Sequence, residues 1–354
     1  MSRELIGSLR REAAFDPTPL PEDLAALHVP FDALNGGDRV EQALAAAARA
    51  AERIALVGAM GSGKSSVLSY TLTAEQGFAA LPISVAPESD ETVSDPGRFA
   101  QHVVRVISSW AGELEMLSAE RRDQLLRAVA ERRVLPSRSK QTHAGIGLQL
   151  PWLVKGELAR DIHRELEPAQ EVGRSAVEYL DALKRLARVV RAIELEPLLV
   201  IDDSDRWLRR GKPRGEIVGA FFERVVRELT QLEIGFAVAV HETYLALPEY
   251  QETTPGVLSA RIDVPRLPTS DQLERIIAHR VQAFLGDEVS ERIVDDEALT
   301  RLWEFYGTDA DHSLRTTLQI LHTGITEAAQ GEHESVSSGM IEAAIAAWLP
   351  LARE

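Results

Sequence analysis

Eight consecutive residues, Gly58-Ala59-Met60-Gly61-Ser62-Gly63-Lys64-Ser65, satisfy the pattern G-x-x-x-x-G-K-[ST] in full. The chemistry such a stretch performs is phosphate binding. Glycines let the backbone bend until successive N–H groups converge on one point, where phosphate oxygens fit. Lys64 stands where it would reach the β- and γ-phosphates of a nucleotide, and Ser65 where its hydroxyl would bind Mg2+. Gly58, Gly61, Ser62, Gly63 and Ser66 complete the expected nucleotide-binding set.

A second group lies far along the chain. Leu198-Leu199-Val200-Ile201 is an apolar run, and the carboxylates of Asp202 and Asp203 emerge at its end. Asp202 is expected to hold Mg2+, directly or through water, and Asp203 to orient an attacking water or take its proton. Asp203 is shorter than the glutamate many ATPases carry there, which implies slow turnover. Asp205 is expected to pair with Arg206. His241 and Glu242 end the run Gly235-Phe236-Ala237-Val238-Ala239-Val240. If that strand neighbours the strand before the glycine-rich loop, His241 sits near the γ-phosphate and can sense it. Arg261 and Arg315 are candidate phosphate-stabilising arginines, a role worth about 10³–10⁵ in rate for a well-placed guanidinium.

These groups need a scaffold. Arg53-Ile54-Ala55-Leu56-Val57 is an apolar run stopped by Gly58, hence a buried strand, and Ser65–Leu72 reads as the helix after the loop. Further strands are expected at Leu81–Ala86, Leu198–Ile201, Gly235–Val240 and Ile262–Val264. Short apolar strands alternating with helices imply a parallel sheet covered on both faces, with ligands at the carboxyl ends of its strands. Helices are expected at Val40–Ala51, Arg98–Leu117, Glu120–Arg132 and Ala176–Ile193, and a hairpin over Ile146–Lys155. After Pro265 only helices appear: one from Thr269-x-x-Gln272, read as a capping box, and others at Glu297–Tyr306, Ser313–Ala329 and Gly339–Leu349.

The fold class expected is therefore α/β, a five-stranded parallel sheet sandwiched by helices, with a C-terminal all-α lid and an inserted helix and hairpin segment. The division is an extended N-terminal arm over 1–35, a nucleotide-binding domain over 36–265 with an insert at about 96–196, and a helical lid over 266–354.

Composition narrows the function. The 354 residues are 45% hydrophobic and 27% charged, with no cysteine, so disulfides and thiolate metal sites are excluded. Nine histidines show no zinc-binding spacing. No apolar run is long enough to span a membrane and no signal peptide is legible, which points to the cytoplasm. A net charge of -16 excludes a protein that coats nucleic acid with its whole surface. Local basic segments remain: Arg206, Arg209, Arg210, Lys212 and Arg214 in one, and Arg132, Arg133, Arg138 and Lys140 in the other.

The order of these elements over about residues 30–350 resembles the AAA+ ATPases, particularly the initiator and clamp-loader side. Gly58–Ser65 looks like Walker A and Leu198–Asp203 like Walker B, its Asp-Asp ending similar to STAND- and KAP-type relatives. His241 falls at the sensor-1 position, Ser259-Ala260-Arg261 is similar to the arginine-finger site, and Asp311-His312-Ser313-Leu314-Arg315 to the sensor-2 site. The resemblance implies an Mg-ATP-driven homo-oligomer with nucleotide between subunits and Arg261 reaching its neighbour. Two readings of its work stay open: assembly on DNA, as in transposition or replication initiation, or a signalling or anti-phage-defence ATPase whose insert binds a protein partner; a third, a small-molecule kinase, is opposed by the all-helical C-terminal lid.

Overall fold

The computed structural model describes residues 2–16, 24–35, 37, 39–74, 78–85, 88–116, 161–162, 164–166, 175–209, 212–286 and 292–353. In chain order its elements begin with α1 (Ser2–Arg11), α2 (Phe31–Asn35), α3 (Val40–Arg49), β1 (Arg53–Gly58), α4 (Lys64–Ala74) and β2 (Phe78–Ser84). Then come α5 (Asp90–Ser94), α6 (Pro96–Met116), α7 (Ala176–Arg191), β3 (Glu196–Asp202) and a two-residue hairpin, β4 (Leu208–Arg209) with β5 (Lys212–Pro213). The chain continues with α8 (Gly215–Ala220), β6 (Gly235–His241), α9 (Pro248–Thr253), β7 (Ala260–Asp263), α10 (Ser270–Leu285), α11 (Asp296–Gly307), α12 (Leu314–Gln330) and α13 (Ser338–Arg353).

Five strands form one parallel sheet in the order β2-β3-β6-β1-β7. The interior strands β1, β3 and β6 are buried along nearly their whole length, which is why each reads as an unbroken apolar run rather than an alternating one. Register decides what meets at the carboxyl edge. Gly58 of β1 lies opposite His241 of β6, and Ser84 of β2 lies opposite Asp202 of β3. Four chemically useful positions thus share one rim, the rim where ligands bind in open α/β sheets.

The C-terminal lobe, α10 to α13, is all helical. Leu273, Ile276, Ile277 and Val281 turn the inner stripe of α10 into the core. The Thr269 and Gln272 capping box does not form: Thr269 makes no side-chain cap bond, and Gln272 instead donates to the Leu34 carbonyl at 3.3 Å. A burial site on the N-terminal segment outcompetes the local bond.

The N-terminal arm is not extended. Ser2–Arg11 is a helix whose Ile6 and Leu9 are buried against α10 and α12. Leu5 packs beside them at the core's edge, so a short apolar stripe, Leu5, Ile6 and Leu9, docks α1. The strand expected at Leu81–Ala86 runs instead from Phe78 to Ser84, its early Phe78-Ala79-Ala80 being buried against β3. The Arg98–Leu117 and Ala176–Ile193 helices appear as α6 and α7, the latter with a complete capping box from Ser175 and Glu178. The helix at Glu120–Arg132, the Ile146–Lys155 hairpin and the basic residues from Arg132 to Lys140 lie outside the described residues.

Candidate functional site

The loop between β1 and α4 has the backbone its glycines allow. Gly61 and Gly63 take φ of +71° and +100°, conformations that side chains resist. The loop then runs into the first turn of α4, whose unpaired N–H groups and dipole favour an anion. Lys64 folds back over it and is 5% exposed. Its ammonium donates to the carbonyls of Gly58 (3.1 Å) and Ala59 (2.8 Å) and to Asp205 Oδ2 (3.3 Å). Asp205 therefore pairs with Lys64; the Arg206 side chain, its expected partner, lies outside the described residues. The buried Ser62 hydroxyl has no partner among the described residues.

Beside the loop, the Ser65 hydroxyl hydrogen-bonds Asp202. Burial first, then the neighbouring charge of Asp203, pushes the Asp202 carboxyl well above the usual range; Ser65, the Asp203 N–H and Lys64 pull the other way. A carboxyl so destabilised as an anion, touching a serine at a phosphate loop, is the donor set that a hydrated Mg2+ satisfies. Ser65 and Asp202 would hold the ion, and it would supply charge neutralisation at the phosphates. Asp203 sits in the left-handed region at φ 65°, which aspartate tolerates better than most residues. Its N–H donates to Asp202 Oδ1 at 2.8 Å, and its Oδ2 accepts from the Ser84 hydroxyl at 2.5 Å.

His241 is brought to the loop by the pairing of β6 with β1. The Met60 N–H donates to His241 Nε2 at 3.1 Å, and Nδ1 lies 2.8 Å from Thr243 Oγ1. The Thr243 N–H also points at Nδ1, at 3.2 Å, so two backbone donors face the two ring nitrogens, and a neutral imidazole accepts from one of them at a time. Burial and, less strongly, the charge of Lys64 hold the imidazole below its ordinary value against the opposing pull of Asp205, Glu242 and Asp311. His241 thus grips the loop's own backbone.

The helical lobe closes the site from above. Ser313 caps α12 by accepting the Thr316 N–H at 3.2 Å. The Arg315 N–H donates to the Gly61 carbonyl at 3.3 Å. The backbone of Arg315 is therefore at the loop. Arg261 is not: it lies on the edge strand β7, opposite Ala55, and its exposed guanidinium pairs with Asp263 at 2.7 Å. The Ser66 hydroxyl is turned to the N-terminal segment, 3.0 Å from His28 Nδ1 and 3.4 Å from the Leu24 carbonyl. His28 in turn meets Glu41 at 2.8 Å. Burial would raise the Glu41 carboxyl, but the hydrogen bonds from His28 and from backbone N–H groups, including that of Phe31, bring it below its ordinary value. The same segment is held on the lid side by His279 and Arg275, which bond the carbonyls of Ala26, Ala33 and Leu34. Neither Ser84, Asp205 nor the His28–Glu41 pair was singled out as a site residue from sequence; only Asp205's place in the acidic run Asp202–Asp205 hinted at it.

No protein-family model and no curated protein matches the chain. Solved structures do. Cdc6p from Pyrobaculum aerophilum is 15% identical with a TM-score of 0.48, the match covering 92% of this chain and 68% of that one. The ORC2 protein of Aeropyrum pernix, in its ADPNP–ADP complexes, is 16% identical with a TM-score of 0.48, over 86% of this chain and 66% of that one. Its ADP form is 17% identical with a TM-score of 0.46, over 87% and 69%. This chain spans about two thirds of each. The class rests on the sheet order and the loop themselves. They define a P-loop NTPase fold with a C-terminal helical lobe, the architecture that the AAA+ resemblance implies.

Proposed function

We propose that the chain is an Mg-ATP-dependent AAA+ ATPase that works as a nucleotide-controlled oligomeric switch. The observation that carries this reading is the convergence on one loop of groups from four separate elements: Lys64 and Ser65 of α4, Asp202 at the end of β3, His241 at the end of β6, and Arg315 at the start of α12. Phosphoryl transfer asks the protein for positioning and charge stabilisation more than for covalent chemistry, and these groups are of the types it needs. Ser65 and Asp202 hold Mg2+, Lys64 and the loop N–H groups hold the phosphates, and Asp203 orients the attacking water. Arg315 senses the nucleotide from the lid, and Arg261 acts on a neighbouring subunit's site. The same division of the chain follows: 36–265 binds nucleotide, 266–354 is the lid, and 1–35 joins the two.

The test is equilibrium binding of Mg-ATP to the wild type and to Lys64→Ala, with turnover measured alongside. Micromolar binding lost in a folded Lys64→Ala supports the reading; equal binding by both removes it.

For the client, the basic run after β3 favours DNA. It forms the β4–β5 hairpin, with Arg209 opposite Lys212, on an otherwise acidic chain, although Arg214 is taken by Asp90 at 2.7 Å. The side chains of Arg206, Arg209, Arg210 and Lys212 lie outside the described residues. ATP-dependent DNA affinity that falls steeply with salt would support this client; none at low salt favours a protein partner.

A further inference from the structure

An ammonium has three donors, and all three of Lys64's are spent inside the chain. Two go to the loop carbonyls of Gly58 and Ala59, and the third, at the longest distance of 3.3 Å, goes to Asp205 Oδ2. A nucleotide phosphate that recruits Lys64 has to take a donor from one of these acceptors. The carbonyls belong to the loop that cradles the phosphate. Asp205 belongs to the turn after β3 and carries a full negative charge at the place where phosphate charge would accumulate.

That turn cannot easily move aside. The Ser204 hydroxyl bonds the Ala239 carbonyl of β6 at 2.5 Å, and the buried Tyr244 hydroxyl bonds the Ser204 carbonyl at 2.7 Å. Trp207, fully buried, stacks on Tyr244 and lies against Phe221. Asp205 is thus mounted on the core between Lys64 and His241. Burial first and then the Asp205 charge push the Tyr244 phenol upward, and the same charge opposes the depression of His241. The second carboxylate oxygen, Oδ1, is buried without a hydrogen-bond partner among the described residues. An ionised carboxylate half satisfied beside a phosphate loop is a costly arrangement unless its charge has a use.

We infer that Asp205 is a built-in counter-anion of the nucleotide site: it occupies Lys64 in competition with the terminal phosphates and so sets how tightly the site holds them. The inference rests on the nucleotide-binding reading above. Its consequence runs opposite to that of the other acids. Asp202 and Asp203 serve bound Mg-nucleotide, so their loss harms binding or turnover. Loss of the Asp205 charge leaves Lys64 less committed and removes a repulsion from the phosphates, so binding tightens. Competition is with charge at the β- and γ-positions, so ATP and ADP feel it and AMP does not.

The experiment is calorimetric titration of full-length wild type, Asp205→Asn, Asp205→Ser and Asp205→Glu with ATP, ADP and AMP, each with Mg2+ and with EDTA. Asp205→Asn and Asp205→Ser are expected to bind ATP about tenfold tighter, the change that roughly 1.4 kcal/mol of differential pairing produces. Asp205→Glu, which keeps the charge, is expected to stay within a few-fold of wild type. The gain should appear with and without Mg2+, because Lys64 and the repulsion act on the phosphates themselves. Unchanged affinity overturns the inference. So does weaker binding confined to the Mg2+ arm, which makes Asp205 a metal-shell ligand instead. If wild type binds no nucleotide, the site reading itself has failed; if wild type binds and Lys64→Ala does not, only the role of Asp205 is on trial. Because Asp205→Ser and Asp205→Glu carry the comparison by themselves, misfolding of Asp205→Asn does not end it.

Discussion

The backbone N–H of Arg315 donates to the backbone carbonyl of Gly61, so the helical lobe touches the phosphate loop through main chain before any side chain is counted. The approach is close enough that a Cβ on Gly61 would lie 2.3 Å from Ser313 Oγ and 3.0 Å from Arg315 Cβ. The lid and the loop are therefore one mechanical unit here, and a change in the loop has to be felt by α12.

Gly61→Ala tests that unit. The left-handed backbone costs a side-chain-bearing residue roughly 1–2 kcal/mol, and the contact with Ser313 adds to it. Mg-ATP affinity is expected to fall at least about tenfold, with the lid displaced in hydrogen exchange at α12. Gly63→Ala shares the positive φ but meets nothing within 4 Å, so it should leave α12 protection unchanged. Equal α12 protection in Gly61→Ala and wild type would show that the lid is not seated on the loop.

The bond from Met60 to His241 makes stability depend on acid. Nε2 accepts only while the ring is neutral, and burial keeps the folded-state value below the ordinary 6.5. A group depressed on folding stabilises fully above its unfolded value, and that stabilisation is lost as pH falls through the folded one. Buried His102, also depressed by burial first, works in the same direction. His241→Gln keeps an acceptor without a titration. The drop in melting temperature between pH 7.5 and pH 5 is expected to be smaller in His241→Gln than in wild type. Identical drops would mean that His241 does not carry the effect.

Asp202 has the opposite sign. Its carboxyl is raised, so from the ordinary value upward each rise in pH forces charge onto a site that resists it, and stability falls. Without nucleotide, Asp202→Asn is expected to melt about 2 °C or more above wild type at pH 7. The advantage should shrink towards pH 4, where both side chains are neutral. With Mg2+ and nucleotide the order should reverse, because only the wild type gains from the metal. A variant less stable than wild type at pH 7 without nucleotide contradicts the shift.

Asp203 and Ser84 separate binding from turnover. Asp203→Asn keeps the left-handed turn and the size of the side chain but not the charge; Mg-ATP binding should persist while turnover drops about 10²-fold or more. Ser84→Ala removes the 2.5 Å bond that holds the Asp203 carboxylate against β2 and frees that oxygen to meet water. Turnover should then rise by about twofold or more, with Mg-ATP affinity unchanged. Lower turnover in Ser84→Ala would make the serine a support for Asp203 rather than a restraint.

Much of this site was legible before the structure, for a physical reason. A buried parallel strand is apolar at every position, so β1, β3 and β6 announce themselves, and whatever polar residue ends such a strand is at the ligand rim. That logic placed Asp202, Asp203 and His241 at the rim, while the glycine-rich loop motif picked out Lys64. It failed where the signal is a tertiary encounter. Ser84 ends β2 like any serine ending a strand, and only its register opposite Asp202 reveals its task. Asp205's contact with Lys64 left no trace in the sequence, which shows adjacency only, because the turn after β3 makes it. The segment of α1 reads as extended because its stripe of Leu5, Ile6 and Leu9 is too short to make a clear period, and its docking face on α10 and α12 is supplied by residues more than two hundred positions away.

Arg261 tests the proposed oligomer. It sits on the edge strand β7, with its guanidinium exposed and paired to Asp263, in register with Ala55 and so short of the Gly58 end of β1. Its side chain shares an exposed face of β7 with Asp263 and is proposed to serve another subunit's site. If Arg261 serves a neighbour, Arg261→Ala subunits keep intact loops but cannot complete the next site, and Lys64→Ala subunits have the reverse defect. Each variant alone should be nearly inactive, since an arginine at the transferring phosphoryl group is worth about 10³–10⁵ in rate. Mixing them creates some junctions in which a good loop faces a good arginine. Turnover should recover in part, peak near equal proportions and rise with protein concentration. The Asp263 ion pair is exposed and easily exchanged for a phosphate, so Asp263→Ala should leave turnover within a few-fold of wild type. Mixtures that co-assemble by light scattering yet stay inactive would show that Arg261 does not act across an interface.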